Sequence, residues 1–255
     1  FVGSAIQQAD PDAILWIEMG AGISTLLGGA GSYGQWENLM TWPRNLNATT
    51  DDPSDPDYYL KQVVFAPHWY PDIYPFIGLN VAPREHSALE QKHKDYTHKL
   101  EEKTGWSSYS LGNMPVVLGE FGTYYNYNVP RLKPASTPGY LAELKAQYEI
   151  FSYPVAAEIL DNYYEALETL SMSRMQWCFS AQNDYFYGDW WNHEDFSMID
   201  PEGDPRGHSA FARPYARAMS GKPLASHFNS DHHYYDPEKG EVDPWHEFAL
   251  VMGSK

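Results

Sequence analysis

The sequence predicts an α/β protein with parallel strands: the second half of a (β/α)8 barrel, followed by the start of a β-rich segment. Three observations carry this. Four strand-length runs occur between residues 13 and 179, each mostly apolar or β-favouring. Amphipathic helical stretches separate the later ones, the alternation that builds parallel sheets. Each run also ends in a residue able to do chemistry or to stack: Glu18, His68, Glu120 and Trp177. That is the pattern of the carboxyl face of a barrel. Four strands cannot close a barrel that takes eight and roughly 250 residues. Residues 1–223 are therefore expected to be half a barrel, and 224–255 a tail.

Taken in order, Phe1 to Asp10 reads as the end of a helix with Val2, Ile6 and Ala9 on one face, broken by Asp10-Pro11-Asp12. Ala13 to Glu18 is the first strand. Gln62 to His68 is the second, with Trp69-Tyr70-Pro71 after it. Residues 84–103 form an amphipathic helix with Leu89, His93, Tyr96 and Leu100 at helical spacing. The third strand, Pro115 to Glu120, is an unbroken apolar run and reads as buried on both faces. Gly119 and Gly122 flank its carboxylate and are expected to let the backbone bend there. A second helical region spans about 140–170, with Pro154 suited to a first turn and Val155, Ile159, Tyr163, Leu167 and Leu170 near one face. Met175 to Phe179 is the fourth strand, and a long aromatic loop, Asn183 to Asp195, follows it. In the tail, Phe248 to Val251 reads as a strand.

Composition narrows the partners. The 255 residues carry a formal net charge of -17, which argues against nucleic acid and anionic membranes. No apolar run is long enough for a transmembrane helix. Aromatic residues make up 16%, with 20 Tyr and 9 Trp, enough amphipathic rings to suggest a surface that stacks on sugars. Cys178, the one cysteine, lies in a strand and reads as a packed thiol. Gly29 to Gly34 fits G-x-G-x-x-G but lacks a helical stripe after it, so a mobile or substrate-facing loop is expected there, not a dinucleotide site. Asp231-His232-His233 with Asp236 and His246 falls short of known zinc spacings and reads as a surface turn. No metal or cofactor is expected. Asn47-Ala48-Thr49 is a glycosylation sequon in a polar loop and points to a secreted or lumenal protein.

The motif set resembles glycoside hydrolase family 5. Leu118-Gly119-Glu120-Phe121-Gly122 looks like the nucleophile strand of that family, His68-Trp69-Tyr70 like its His-x-Tyr, and Trp177 like the tryptophan closing its last strand. Ala66-Pro67-His68-Trp69-Tyr70 and the stretch from Arg213-Pro214-Tyr215 to Pro223 bring it nearest the endoglycoceramidase-like branch. The resemblance implies a retaining glycosidase of β-linked glycans or glycolipids, with two carboxyl groups about 5–5.5 Å apart. It makes Glu120 the nucleophile, Tyr70 its hydrogen-bond partner, His68 a member of the same network and Trp177 the floor of the sugar site. Glu18, Trp69, Asn183, Trp190 and Trp191 complete the expected substrate-binding set, with the apolar part of the aromatic loop reaching toward an apolar aglycone.

One part of the family pattern is missing. The acid/base of such enzymes lies in an Asn-Glu pair ending the fourth strand. Glu18 matches the fifth strand instead, and Ile17 stands where Asn should be. The acid/base is therefore expected from an N-terminal half-barrel, on the same precursor or another chain. The tail is expected to open a C-terminal β-sandwich. A non-catalytic relative, kept for carbohydrate binding or assembly, is the alternative from a different class.

Overall fold

The computed structural model describes residues 2–17, 62–69, 91, 95, 98, 115–127, 129, 137–190, 194–216, 220–229 and 247–253. Two compact units divide the chain. The first comprises Phe1–Pro71, Glu101–Phe121 and Met172–Met175; the second comprises Asp72–Leu100, Gly122–Ser171 and Gln176–Lys255.

The first unit holds helix α1 (Val2–Ala9) and strands β1 (Leu15–Ile17), β2 (Val63–Phe65), β3 (His68–Trp69) and β4 (Val117–Phe121). Strand β5 (Ser173–Gln176) lies beside β4 in the sheet order β3-β4-β5. β1 pairs with β2 in parallel, Leu15 opposite Val63 through Ile17 opposite Phe65. β3 pairs with β4 in parallel, His68 opposite Glu120 and Trp69 opposite Phe121. A parallel bridge from Phe65 to Val116 links the two sets. Four strands are present in the expected chain order, with two changes: the second is broken into β2 and β3, and the fourth runs Ser173–Gln176 and stops short of Trp177. Pro67 sits at the break. It has no N–H for a ladder, and its carbonyl instead accepts the Gly119 N–H at 2.9 Å.

Burial departs from expectation at both β1 and α1. Leu15 is buried, but Trp16 is 53% exposed and Ile14 is also exposed. Among the described residues β1 pairs with β2 alone. In α1 the stripe of Val2 and Ile6 faces outward and Gln7 is buried. Periodicity tells which residues share a helix face; it does not tell which face meets the strands. β4 is buried on both faces at Leu118 and Phe121, which point opposite ways, while Val117 and Glu120 are partly exposed.

The second unit is built on one continuous helical run. Helix α2 (Tyr140–Gln147) passes through a π-helical segment, Tyr148–Ser152, into α3 (Tyr153–Thr169). Pro154 lies in the first turn of α3, as expected, and the wider π turn comes just before this residue, which has no N–H to continue the ladder. Val155, Ile159, Tyr163 and Leu167 are buried as predicted, and Leu170 is partly so. Thirteen of the 17 residues of α3 are buried, so the helix is enclosed on nearly every side. That burial takes in Asp161 and Glu168, two turns apart on one face. Both are paired with Arg213: Nη1 donates to Glu168 Oε2 at 3.0 Å, and Nη2 bonds Asp161 Oδ1. Arg213 also donates from Nε to the Ala210 carbonyl, just after the short helix α4 (His208–Phe211) begins, and from Nη1 to the Phe228 carbonyl.

Phe228 belongs to β6 (Lys222–Asn229), which pairs antiparallel with β7 (Glu247–Gly253). The tail is therefore a β hairpin whose first strand begins at Lys222, and Phe248 to Val251 lies in its second strand. Gln91, Asp95 and His98 are helical and exposed, in keeping with an amphipathic helix there. The apolar positions of that helix, Gly29–Gly34 and Asp231–His233 lie outside the described residues. No helix among the described residues is long and apolar enough to cross a membrane.

Candidate active site

The parallel register of β3 and β4 places His68 directly across from Glu120. The imidazole Nδ1 lies 3.5 Å from the carboxylate Oε1, and the two side chains are 21% and 23% exposed. The pair is held by two strand ends and is partly open to solvent. It can do what a buried pair cannot: meet a substrate without first being uncovered.

The same pairing corrects the expectation for Trp69. Successive strand residues point to opposite faces. With His68 facing outward, Trp69 must face inward, and it is 1% exposed. Trp69 is a core residue beside Phe121, not a sugar platform. Tyr70, Glu18, Asn47 and Trp191 lie outside the described residues.

The glycines flanking Glu120 also act differently from expectation. Neither has positive φ, and β4 runs through Glu120 to Phe121 without a bend. What they supply is room. A Cβ on Gly119 would lie 2.7 Å from the Ala66 carbonyl oxygen, and one on Gly122 would collide with the Trp177 carbonyl.

In the second unit, Trp177 follows β5 instead of ending it, and is partly buried. The next residue, Cys178, is buried as expected. Burial, with the nearby Asp189 carboxylate, pushes its thiol up to about 12. The thiol donates to Asp189 Oδ2, which also accepts the Phe196 N–H at 2.8 Å. Asp189 is itself raised, mainly by burial. Asn183 is partly buried and donates from Nδ2 to the Ser180 carbonyl at 2.9 Å.

The aromatic loop is a shaped element, not a slack connection. Asp184 Oδ1 accepts the N–H groups of Phe186 and Tyr187, and an antiparallel bridge joins Asp184 to Gly188. Tyr185 is turned inward and donates to Glu202 Oε2 at 2.7 Å. Tyr187 and Trp190 are turned outward, each about half exposed, with ring centroids 5.4 Å apart. The expectation for Trp190 was of an outward ring. Tyr187 was not singled out, because composition marks a loop as aromatic without telling which rings face water.

The end of this loop is anchored by a fully buried pair that sequence reading missed. Arg206 Nη1 donates to Asp195 Oδ1 at 2.7 Å, and Tyr148 donates to Asp195 Oδ2 at 3.0 Å. Burial alone would lower the Arg206 guanidinium, but the Asp195 charge more than offsets it and holds it firmly protonated. The guanidinium also stacks over Tyr125, 4.4 Å from the ring centre. Among the described residues no group of three His, Cys, Asp or Glu side chains is placed to hold a metal.

No family model matches the chain. It is similar to a glucosylceramidase from Rhizopus delemar, 25% identical over 207 residues, covering 66% of this chain and 28% of that protein. A 69-residue stretch is 35% identical to an ergosteryl-beta-glucosidase from Saccharomyces cerevisiae, 27% of this chain and 9% of that one. Among solved structures, sterylglucosidase 1 from Cryptococcus neoformans superposes over 89% of this chain and 30% of its own, with a TM-score of 0.58 and 18% identity. The chain thus spans about a third or less of each of these relatives. Parallel α/β strands and the superposition give the chain the fold of part of the TIM barrel that these neighbours share. These similarities agree with the resemblance of its motifs to the endoglycoceramidase-like branch of glycoside hydrolase family 5.

Proposed function

We propose that this chain is the nucleophile-bearing part of a retaining β-glycosidase acting on glycolipids. The observation that carries the reading is the Glu120–His68 pair, two facing strand positions with side chains 3.5 Å apart and open to solvent. In the proposed reaction a Glu120 carboxylate oxygen attacks the anomeric carbon as the glycosidic C–O bond breaks. The aglycone oxygen leaves with the bonding pair and takes a proton from the acid/base. Water, deprotonated by that same group, then displaces Glu120 and yields the free sugar. His68 and Tyr70 are assigned to orient the carboxylate, as the family resemblance implies, and the outward ring of Trp190 is assigned to substrate stacking on its own unit. An apolar aglycone is supported by the names of the relatives, which act on ceramide and steryl glucosides.

The acid/base is assigned to an N-terminal half-barrel. Support comes from the family resemblance, in which Ile17 stands where the Asn of the Asn-Glu pair should be. A secretory route is supported by the Asn47 sequon. The test is Glu120→Gln in the full-length protein, assayed on 2,4-dinitrophenyl β-glucoside, whose leaving group needs no acid. Loss of about 10⁴-fold in kcat/KM with an unchanged melting temperature is expected. Retained activity would overturn the assignment and favour a binding role.

A further inference from the structure

Gly119 is fixed from two directions. Its N–H donates to the Pro67 carbonyl at 2.9 Å. Its bare Cα faces Ala66, where a side chain would put Cβ 2.7 Å from the carbonyl oxygen and 3.1 Å from the carbonyl carbon and Cβ. The nearest atoms are backbone, so no side-chain rotation relieves the contact. Nor is the Ala66–Pro67 segment free to retreat. The Ala66 N–H donates to the Ile17 carbonyl at 2.8 Å, and the proline ring holds φ at 67. The next residue along each strand is a member of the polar pair: His68 follows Pro67, and Glu120 follows Gly119. Any displacement at 119 therefore passes straight into the 3.5 Å separation of Glu120 and His68.

We propose that Gly119 is a positioning residue for Glu120: the absence of a side chain lets β4 seat against the Ala66–Pro67 break, and that seating sets the carboxylate beside His68. The inference rests on the reading of Glu120 as nucleophile. Gly119 itself touches no reacting atom. Its glycine is required for space, since its φ is ordinary. A methyl group there would drive β4 off the break by a distance on the scale that costs about 100-fold in rate when a reacting group is misplaced by roughly 1 Å.

The experiment measures covalent labelling of the full-length protein by 2,4-dinitrophenyl 2-deoxy-2-fluoro-β-glucoside. In this step a carboxylate oxygen bonds to the anomeric carbon and dinitrophenolate leaves with the electron pair, so the acid/base is not needed. Gly119→Ala should slow labelling about 100-fold while the reagent's binding constant stays within about 3-fold. In a His68→Ala background the same substitution should cost less than about 3-fold, because the geometry it spoils is already lost. Labelling at the wild-type rate overturns the proposal, and so does a full loss that persists without His68. If Gly119→Ala does not fold, the cycle is run in an Ala66→Gly background, where the carbonyl can swing aside, and the same two readings decide. Glu120→Gln is run in parallel. If that variant still labels, the nucleophile assignment fails, whatever Gly119 does.

Discussion

The two units treat polar groups in opposite ways. In the second, Arg213, Asp161, Glu168, Arg206 and Asp195 are buried and paired with one another. In the first, Glu120 and His68 stand across a strand pair with about a fifth of each exposed. A charge removed from water must be matched in full, or it costs several kcal/mol. Buried charges paired in this way hold a structure and are closed to a ligand by their burial. A carboxylate with about a fifth of its surface exposed beside an imidazole still meets solvent and so stays within reach of a ligand. The same chain therefore spends its acids in two roles, and accessibility separates them better than residue type.

The largest effect tests the buried side of this contrast. Arg213→Ala would leave Asp161 and Glu168 buried without their cation and also free the Phe228 carbonyl. Destabilisation of about 3–5 kcal/mol is expected in urea unfolding. A loss below about 1 kcal/mol would mean that the two acids reach water in the folded state.

His68→Ala tests the open side. It should lower kcat about 10–100-fold on 2,4-dinitrophenyl β-glucoside, roughly 1.4–2.7 kcal/mol in the barrier, with the melting temperature nearly unchanged. If stability falls by that amount and kcat does not, His68 belongs with the structural group.

Trp190→Ala sharpens the comparison within the second unit, because this ring, like Tyr187, is half exposed where Tyr185 and Asp189 of the same loop are buried. KM for a glycolipid should rise about 5-fold, about 1 kcal/mol. Stability should stay within about 0.5 kcal/mol, as at other surface positions.

The smallest effect concerns Asp189, whose folded pKa is raised by burial. The folded state then holds its proton more tightly than the unfolded chain. The stability this contributes is complete below the unfolded carboxylate range near ~4 and is lost as pH rises through the folded value. Asp189→Asn should remove that downward component from a plot of unfolding free energy against pH. An identical slope in both proteins would show that Asp189 ionises freely in the fold.

Much of this arrangement was legible in the residues. The apolar run ending at Glu120 and the strand ending at His68 were readable as strands, and their neighbouring order followed from chain sequence in a parallel sheet. Alternation along β3 could also have assigned Trp69 to the core, since His68 and Trp69 cannot share a face. The spacing of Asp161 and Glu168, two helical turns apart, marked a shared face, but nothing local pointed to Arg213, some 45 residues away from Glu168, as their partner. The inward turn of Gln7 and the outward turn of Tyr187 depend on what each element packs against. That information is carried by distant residues, not by local pattern.

The central claim is that Glu120 forms the covalent bond to the sugar. It is tested most directly by trapping the full-length protein with 2,4-dinitrophenyl 2-deoxy-2-fluoro-β-glucoside and mapping the modified peptide by mass spectrometry. The account predicts one label per active site, on the peptide carrying Leu118-Gly119-Glu120-Phe121-Gly122 and on the Glu120 carboxyl group. A label on any other carboxylate, or full turnover of the parent glucoside with inversion at the anomeric carbon, would contradict it.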